Sequence, residues 1–394
     1  MKTKIISGLF ILFVAVTACV SEFNAKLPSN QEEILIVEGN IMENTDATFY
    51  LSKSFPIDSV FNPYEGFVNN ARLTLIGSDG YQSQSATNLG MGRYSLSTGT
   101  LDDNVAYGLQ IEYDGNTYRS SLSKPLHTPE IDSVSWIQPE ARGTIFFQIS
   151  THDDKDGAKF YMWDYKEDWE TAAYYYTTIF LNPADGTFYN IYPAPEYNCW
   201  KSAVSNEFLI GSTESLSENR IINKQFMQSD PQSDRFSVLY CITVNQKAIS
   251  KGAYEYYHNK ITLNGEMGGL FTPQPTELSG NITCLTDPSK KVMGYIEVSK
   301  NTAQKRIFIY SGEIKSPPPY SNCTTITQDS IKQIMSQYNY TYVDIYRMGY
   351  RPAVQDPRAY PDVFPSDWAY SDCTSCIAAG GSKNKPDFWP NNDQ

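Results

Sequence analysis

The chain has 394 residues and a formal net charge of −13, with 44 acidic against 31 basic side chains. No basic cluster offsets this balance, which argues against nucleic acid and against an electrostatic grip on anionic lipid. The 29 tyrosines and 19 phenylalanines favour strand-rich structure over a helix bundle, and the length allows two or three domains with real cores.

Lys2 and Lys4 precede the apolar run Ile5–Val16, which is too short to span a membrane and reads as a signal-peptide core. Val16-Thr17-Ala18 supplies the small residues of a cleavage site, and Cys19 follows directly, the pattern of a bacterial lipobox. Residues 1–18 are therefore expected to be a lipoprotein signal peptide and Cys19 the lipidated residue. Acyl chains on Cys19 would anchor the rest of the chain durably. Val20, not Asp, comes next, which favours the outer membrane and leaves the face undecided. Residues 19–33 form a polar tether.

From Ile34 the pattern changes to short strands and turns. Leu73 and Leu75 alternate with polar neighbours, Tyr107, Leu109 and Ile111 recur at period two, and Asp114-Gly115 is a hairpin signal. Residues 34–128 are expected to be one β-sandwich. Residues 129–315 are expected to be a second, opened by Ile131-Asp132-Ser133-Val134 and continued by Ile145, Phe147 and Ile149. It carries a loop-rich insertion near residues 182–205. Ile282–Leu285, Val292–Val298 and Arg306–Tyr310 are expected to be its closing strands. A helix over residues 250–262 has Ser250 as its cap, with Tyr254, Tyr257, His258 and Ile261 on one face. Residues 316–394 begin with the stiff Pro317-Pro318-Pro319 linker. Thr327 then caps a helix bearing Ile331, Ile334, Met335 and Tyr338, and an irregular tail packed on the second domain ends the chain.

Six cysteines remain after Cys19: Cys199, Cys241, Cys284, Cys323, Cys373 and Cys376. In an oxidising envelope an even set reads first as disulfides, with fifteen possible connectivities. Zinc competes, because Cys373 and Cys376 have ligand spacing. A thioredoxin-like role fits poorly, since this CxxC has no βαβ unit around it.

Catalytic and cofactor signatures are sparse. No HExxH, GxSxG, P-loop or GxGxxG occurs, so no cofactor is expected. The histidines are His127 in a connector, His152 at a loop and His258 on the helix. The acidic pairs Asp102-Asp103 and Glu167-Asp168 are the remaining material for acid–base chemistry. Asp153, Asp154 and Asp156 form a weak calcium candidate, in a loop where His152 and Trp163 stand at the first and last positions of an EF-hand. Tyr174-Tyr175-Tyr176, Trp368 and Trp389 are candidate contact residues.

Tyr161-Met162-Trp163, Cys199-Trp200, Val244-Asn245-Gln246, Tyr254-Glu255-Tyr256-Tyr257, Gly280-Asn281-Ile282 and Gly294-Tyr295 carry a resemblance. With the lipobox and the tail Asp372-Cys373…Cys376…Gly380-Gly381…Lys385-Pro386-Asp387-Phe388-Trp389, the chain resembles a family of uncharacterised Bacteroidetes outer-membrane lipoproteins. Their neighbours in the genome are typically TonB-dependent transporters. The segment before Pro125 also looks like transthyretin-like or carboxypeptidase-regulatory sandwiches. The resemblance implies a non-enzymatic accessory subunit that partners an outer-membrane β-barrel transporter. The alternative is an envelope hydrolase acting on glycan or peptide. Cys241 and Cys284 depart from the family pattern, which implies that they pair with each other. Cys199, Cys323, Cys373 and Cys376 would then tie the insertion to the tail.

Overall fold

The computed structural model describes residues 33–55, 66–155, 157–266, 280–315, 323–359 and 362–390. Cys19, the tether up to residue 32, Asp156 and the triple proline lie outside the described residues.

The first sandwich opens with β1 (Leu35–Glu38), β2 (Asn40–Met42) and β3 (Asp46–Lys53), and continues with β4 (Arg72–Gly77), β5 (Thr87–Gly90) and β6 (Arg93–Ser97). The hairpin β7 (Tyr107–Tyr113) and β8 (Asn116–Ser120) follows. Alternation places Ala47, Phe49 and Leu51 of β3 inward and Asp46, Thr48 and Tyr50 outward. Phe49, Leu73, Leu75 and Ile111 are fully buried, and each such side chain contributes about 1.5–3 kcal/mol. Asp114 and Gly115 both take positive φ, the conformation that a two-residue hairpin demands.

The second sandwich uses β9 (Ile131–Ile137), β10 (Ile145–His152) and β11 (Phe160–Ala172). Later in the chain come β12 (Ile179–Leu181), β13 (Phe188–Asn190), β14 (Asn198–Val204), β15 (Leu209–Ser212), β16 (Arg220–Ser229) and β17 (Leu239–Ala248). One sheet runs β16-β10-β9; the other holds β14, β11 and β17, with β15 also on β11. The end of the expected insertion is regular: β14 pairs with β11 from Lys166–Val204 to Ala172–Asn198. The core joins Phe147, Trp163, Tyr240, Ile242 and Val244. The Tyr161-Met162-Trp163 and Val244-Asn245-Gln246 motifs face each other, for Trp163 is in register with Gln246. Trp163 Nε1 donates to Gln246 Oε1 at 2.8 Å, while Gln246 Nε2 donates to the Pro129 carbonyl and Thr151 Oγ1. A buried amide satisfied on every side fixes one arrangement of the two sheets.

Helix α1 (Lys251–Glu266) is capped by Ser250, whose Oγ accepts from Ala253 N. Its buried residues are Ala253 and Tyr256, with Tyr257 beside them, while His258 and Ile261 are exposed. The expected face is thus displaced by about one residue, because the helix packs between two bodies and not on one.

The chain then departs from expectation. Strands β18 (Ile282–Cys284), β19 (Val292–Met293) and β20 (Glu297–Ser299) do not close the second sandwich. They return to the first, where β18 pairs β8, β19 pairs β1 and β20 pairs β2. The domain division at residues 34–128 and 129–315 is corrected accordingly. Gly280 and Gly294 make the return possible: a Cβ on Gly280 would lie 1.6 Å from the Gly294 carbonyl oxygen, and Gly294 itself has φ +143°. Only β21 (Ala303–Tyr310) completes the second sandwich, on β17.

The same return explains the cysteines. Cys284 lies in the core of the first sandwich, whereas Cys241 lies under Trp389 on the second. Both are buried free thiols, so the expected Cys241–Cys284 bridge is wrong. The two bonds present are Cys199–Cys376 and Cys323–Cys373. The first ties the insertion to the tail, the second closes within the C-terminal body, and the CxxC does not close on itself.

The last body comprises β22 (Ile326–Thr327), α2 (Gln328–Tyr338), α3 (Tyr342–Arg347), β23 (Tyr350–Gln355), β24 (Pro365–Tyr370) and α4 (Ser371–Thr374). Thr327 caps α2 by accepting from Ser330 N. The β12–β13 hairpin joins this body through Phe188, which packs with Tyr342, Phe364 and Trp368.

Candidate functional site

Outward-facing Glu38, Asp46, Thr48 and Tyr50 of the first sandwich look across at Tyr256, Tyr257 and Lys260 of α1. Between them is a cleft of about 590 Å³. Phe208, from the turn before β15, forms one side, and Tyr295, from the returning segment, another. Lys260 Nζ reaches Glu38 Oε1 at 3.4 Å and sits 4.8 Å from the Phe208 ring centre, joining the two bodies at the mouth. Tyr295 is held by its hydroxyl, 3.1 Å from Ser250 Oγ.

Two ionisable groups matter here, Lys247 in the lining and Glu297 outside it. Glu297 is buried, which raises its pKa, although it accepts from Ser250 N and Oγ, both at 2.9 Å. Lys247, on β17, is half-buried and lines the cleft. Desolvation pulls its pKa down to about 8, opposed by the charges of Glu297 and Asp164. Sequence reasoning missed this lysine. Its only signal is a lone charge near the end of a strand otherwise reading as core, Leu239–Ala248, on the face opposite Val244 and Gln246.

A second cavity of about 370 Å³ lies in the stapled C-terminal body, with Phe180, Tyr189, Tyr346, Arg351 and Ile377 among its walls. Aromatic side chains remain exposed on this body: Tyr174 at 41%, Tyr176 at 50%, Tyr370 at 53% and Tyr192 at 82%. Tyr176 packs edge-on against Tyr197, and Tyr370 stacks on Tyr350 with ring centres 4.5 Å apart.

The expected contact residues divide. Tyr174 and Tyr176 are exposed, but Tyr175 packs inward and donates to the Cys323 carbonyl. Trp368 and Trp389 are corrected to core residues. Trp368 is 0% exposed and donates to Gln328 Oε1, and Trp389 donates to Glu170 Oε2. An indole that finds an internal acceptor is drawn into the core.

The carboxylate pairs do not come together as acid and base. Glu167 and Asp168 are successive strand residues and point to opposite faces. Glu167 accepts from Tyr240 Oη at 2.9 Å and pairs with Arg235, while Asp168 pairs with Lys166 at 2.8 Å. Asp102 accepts from Asn104 N, and Asp103 pairs with Lys300 and His127. In the calcium candidate, Asp153 accepts from the backbone N–H groups of Lys155, Gly157 and Ala158, and His152 pairs with Asp132 and Asp154. Among the described residues no group of three potential metal ligands converges. No helix among them is long and apolar enough to cross a membrane.

Residues 20–305 match the model of a family described as a domain of unknown function, DUF4249. No curated protein matches the chain. The match ends before the stapled tail, so the Asp372…Trp389 motif and both bridges' C-terminal cysteines lie beyond it. By the extent of that match, the chain belongs to the DUF4249 family.

Proposed function

We propose that this chain is a lipid-anchored accessory subunit of an outer-membrane transport complex, working by docking to a β-barrel partner of the TonB-dependent class. The observation that carries the reading is the exposure of four tyrosines on the C-terminal body, Tyr174, Tyr176, Tyr192 and Tyr370. Large amphipathic rings left at the surface of a rigid, cross-linked body are the residues that interface centres favour. The lipobox ending on Cys19 supports the anchor, and confinement to one membrane raises the effective concentration of the partner.

A tagged chain solubilised from its native membrane in mild detergent is expected to bring down a barrel protein in near-stoichiometric amount. A Tyr176→Ser/Tyr192→Ser/Tyr370→Ser variant is expected to lose at least nine-tenths of it while keeping its thermal stability. Recovery of the lipoprotein alone from several detergents, with hydrolysis of a glycan or peptide library that Glu38→Gln or Asp46→Asn abolishes, would establish the hydrolase instead. Those two carboxylates are the ones that line the cleft.

A further inference from the structure

Lys247 is a cation waiting for a partner. Among the described residues its ammonium makes no hydrogen bond and no ion pair; Glu297 and Asp164 act on it only through space. Glu297 is engaged by Ser250, and Asp164 accepts from Asn245 Nδ2 at 2.7 Å. A partly desolvated ammonium whose nearest carboxylates act on it only at a distance gains from an anion that reaches it directly. The route to it is the cleft, where Tyr256, Tyr257 and Tyr295 stand about the deep end and Tyr50 and Phe208 nearer the mouth.

We propose that this cleft is a binding site for a small organic carboxylate carried on a ring, its acid group meeting Lys247 and its ring lying against the tyrosine walls. The charges of the lining weigh against a dianion. Lys260 is already matched by Glu38, and Asp46 adds a further carboxylate to the lining, so a dianionic phosphate would face uncompensated repulsion. The wall chemistry selects a ring, since flat aromatic faces bind flat apolar faces over the largest area. A volume of about 590 Å³ admits one or two such rings. Because desolvation holds the Lys247 pKa down to about 8, the empty site carries its charge below that pH and loses it above.

Aromatic acids and sugar acids share this chemistry, and the test separates them. Purified full-length protein in detergent is titrated with benzoate, glucuronate, benzyl alcohol and acetate, read by ligand-observed NMR. At least one ring carboxylate is expected to bind tenfold more tightly than both benzyl alcohol and acetate. That affinity should fall at least tenfold in Lys247→Met, and fall in the wild type as pH rises through about 8. A second readout needs no variant: the ring carboxylate that binds should protect Lys247 from reductive methylation, mapped by mass spectrometry. Ring carboxylates binding no better than benzyl alcohol, affinity unchanged in a folded Lys247→Met protein, or unprotected Lys247 would each overturn the assignment. The inference rests on the cleft alone and is measured on the isolated protein, so its failure leaves the docking reading untouched.

Discussion

The Cys199–Cys376 bridge is the link that carries the exposed tyrosines on a fixed platform, and its removal is a quantitative test. It joins β14 of the second sandwich to the turn after α4, with a sequence separation of 177. Chain-entropy arithmetic for a loop of that length gives about 5 kcal/mol of destabilisation of the unfolded state. The inner Cys323–Cys373 bridge shortens the effective loop, but the dependence is logarithmic and the figure changes little. Native contacts hold part of the junction without the bond, because Trp200 and Ser382 exchange backbone hydrogen bonds and Cys376 N donates to the Glu196 carbonyl. We expect Cys199→Ala/Cys376→Ala to lose about 2–5 kcal/mol. The loss should appear as a first urea transition, seen by tryptophan fluorescence, in which the C-terminal body separates before the sandwiches unfold. A loss below about 0.5 kcal/mol, well under the usual range for a bridge, would refute the reasoning. So would non-reducing peptide mapping that finds Cys373 joined to Cys376, or Cys241 to Cys284.

Trp389→Ala should cost about 3–5 kcal/mol and expose the Cys241 thiol to a thiol reagent that leaves the folded wild type unlabelled, because Trp389, Leu239 and Cys241 share one cluster. Lys247→Met should change the pH dependence of stability. With the folded pKa down to about 8, the unfolded chain binds the extra proton between about 8 and the ordinary lysine value, so wild-type stability rises with pH there. The variant should lack that rise, at most about 3 kcal/mol, when the two denaturation series are subtracted. Gly280→Ala should destabilise by more than about 2 kcal/mol, since its Cβ meets backbone that cannot retreat; an unchanged melting temperature would contradict the return of β18–β20 to the first sandwich. Cys19→Ala should leave unprocessed precursor or a soluble product, checked by membrane fractionation.

Local patterns were readable where one residue type had one physical use. Alternation in β3 and β7, the Asp114-Gly115 turn and the Ser250 and Thr327 caps all depend on near neighbours, and each appears where its residues put it. The return of β18–β20 was not readable. Three strands of three, two and three residues carry too little alternation to say which sheet they join, and the deciding contact is the backbone approach of Gly280 to Gly294. The Cys241–Cys284 expectation failed with it, since the inference assumed one body where the chain makes two. Trp368 and Trp389 were misread for a related reason. In a proline-rich tail without periodicity, burial is set by remote acceptors, Gln328 and Glu170, whose positions only the fold supplies. Lys247 was hidden because its environment comes from three separate segments, β17, α1 and the strand bearing Glu297.

Whether this protein acts as a docked subunit is open to direct measurement. Native membranes from cells carrying a tagged chromosomal copy, cross-linked before solubilisation and analysed by quantitative mass spectrometry, test it most directly. One outer-membrane barrel protein is expected, cross-linked in near-equal amount, with linkages mapping to the body that bears Tyr176, Tyr192 and Tyr370. A chain recovered without a barrel partner, or linked to one only through the first sandwich, would contradict the docking reading.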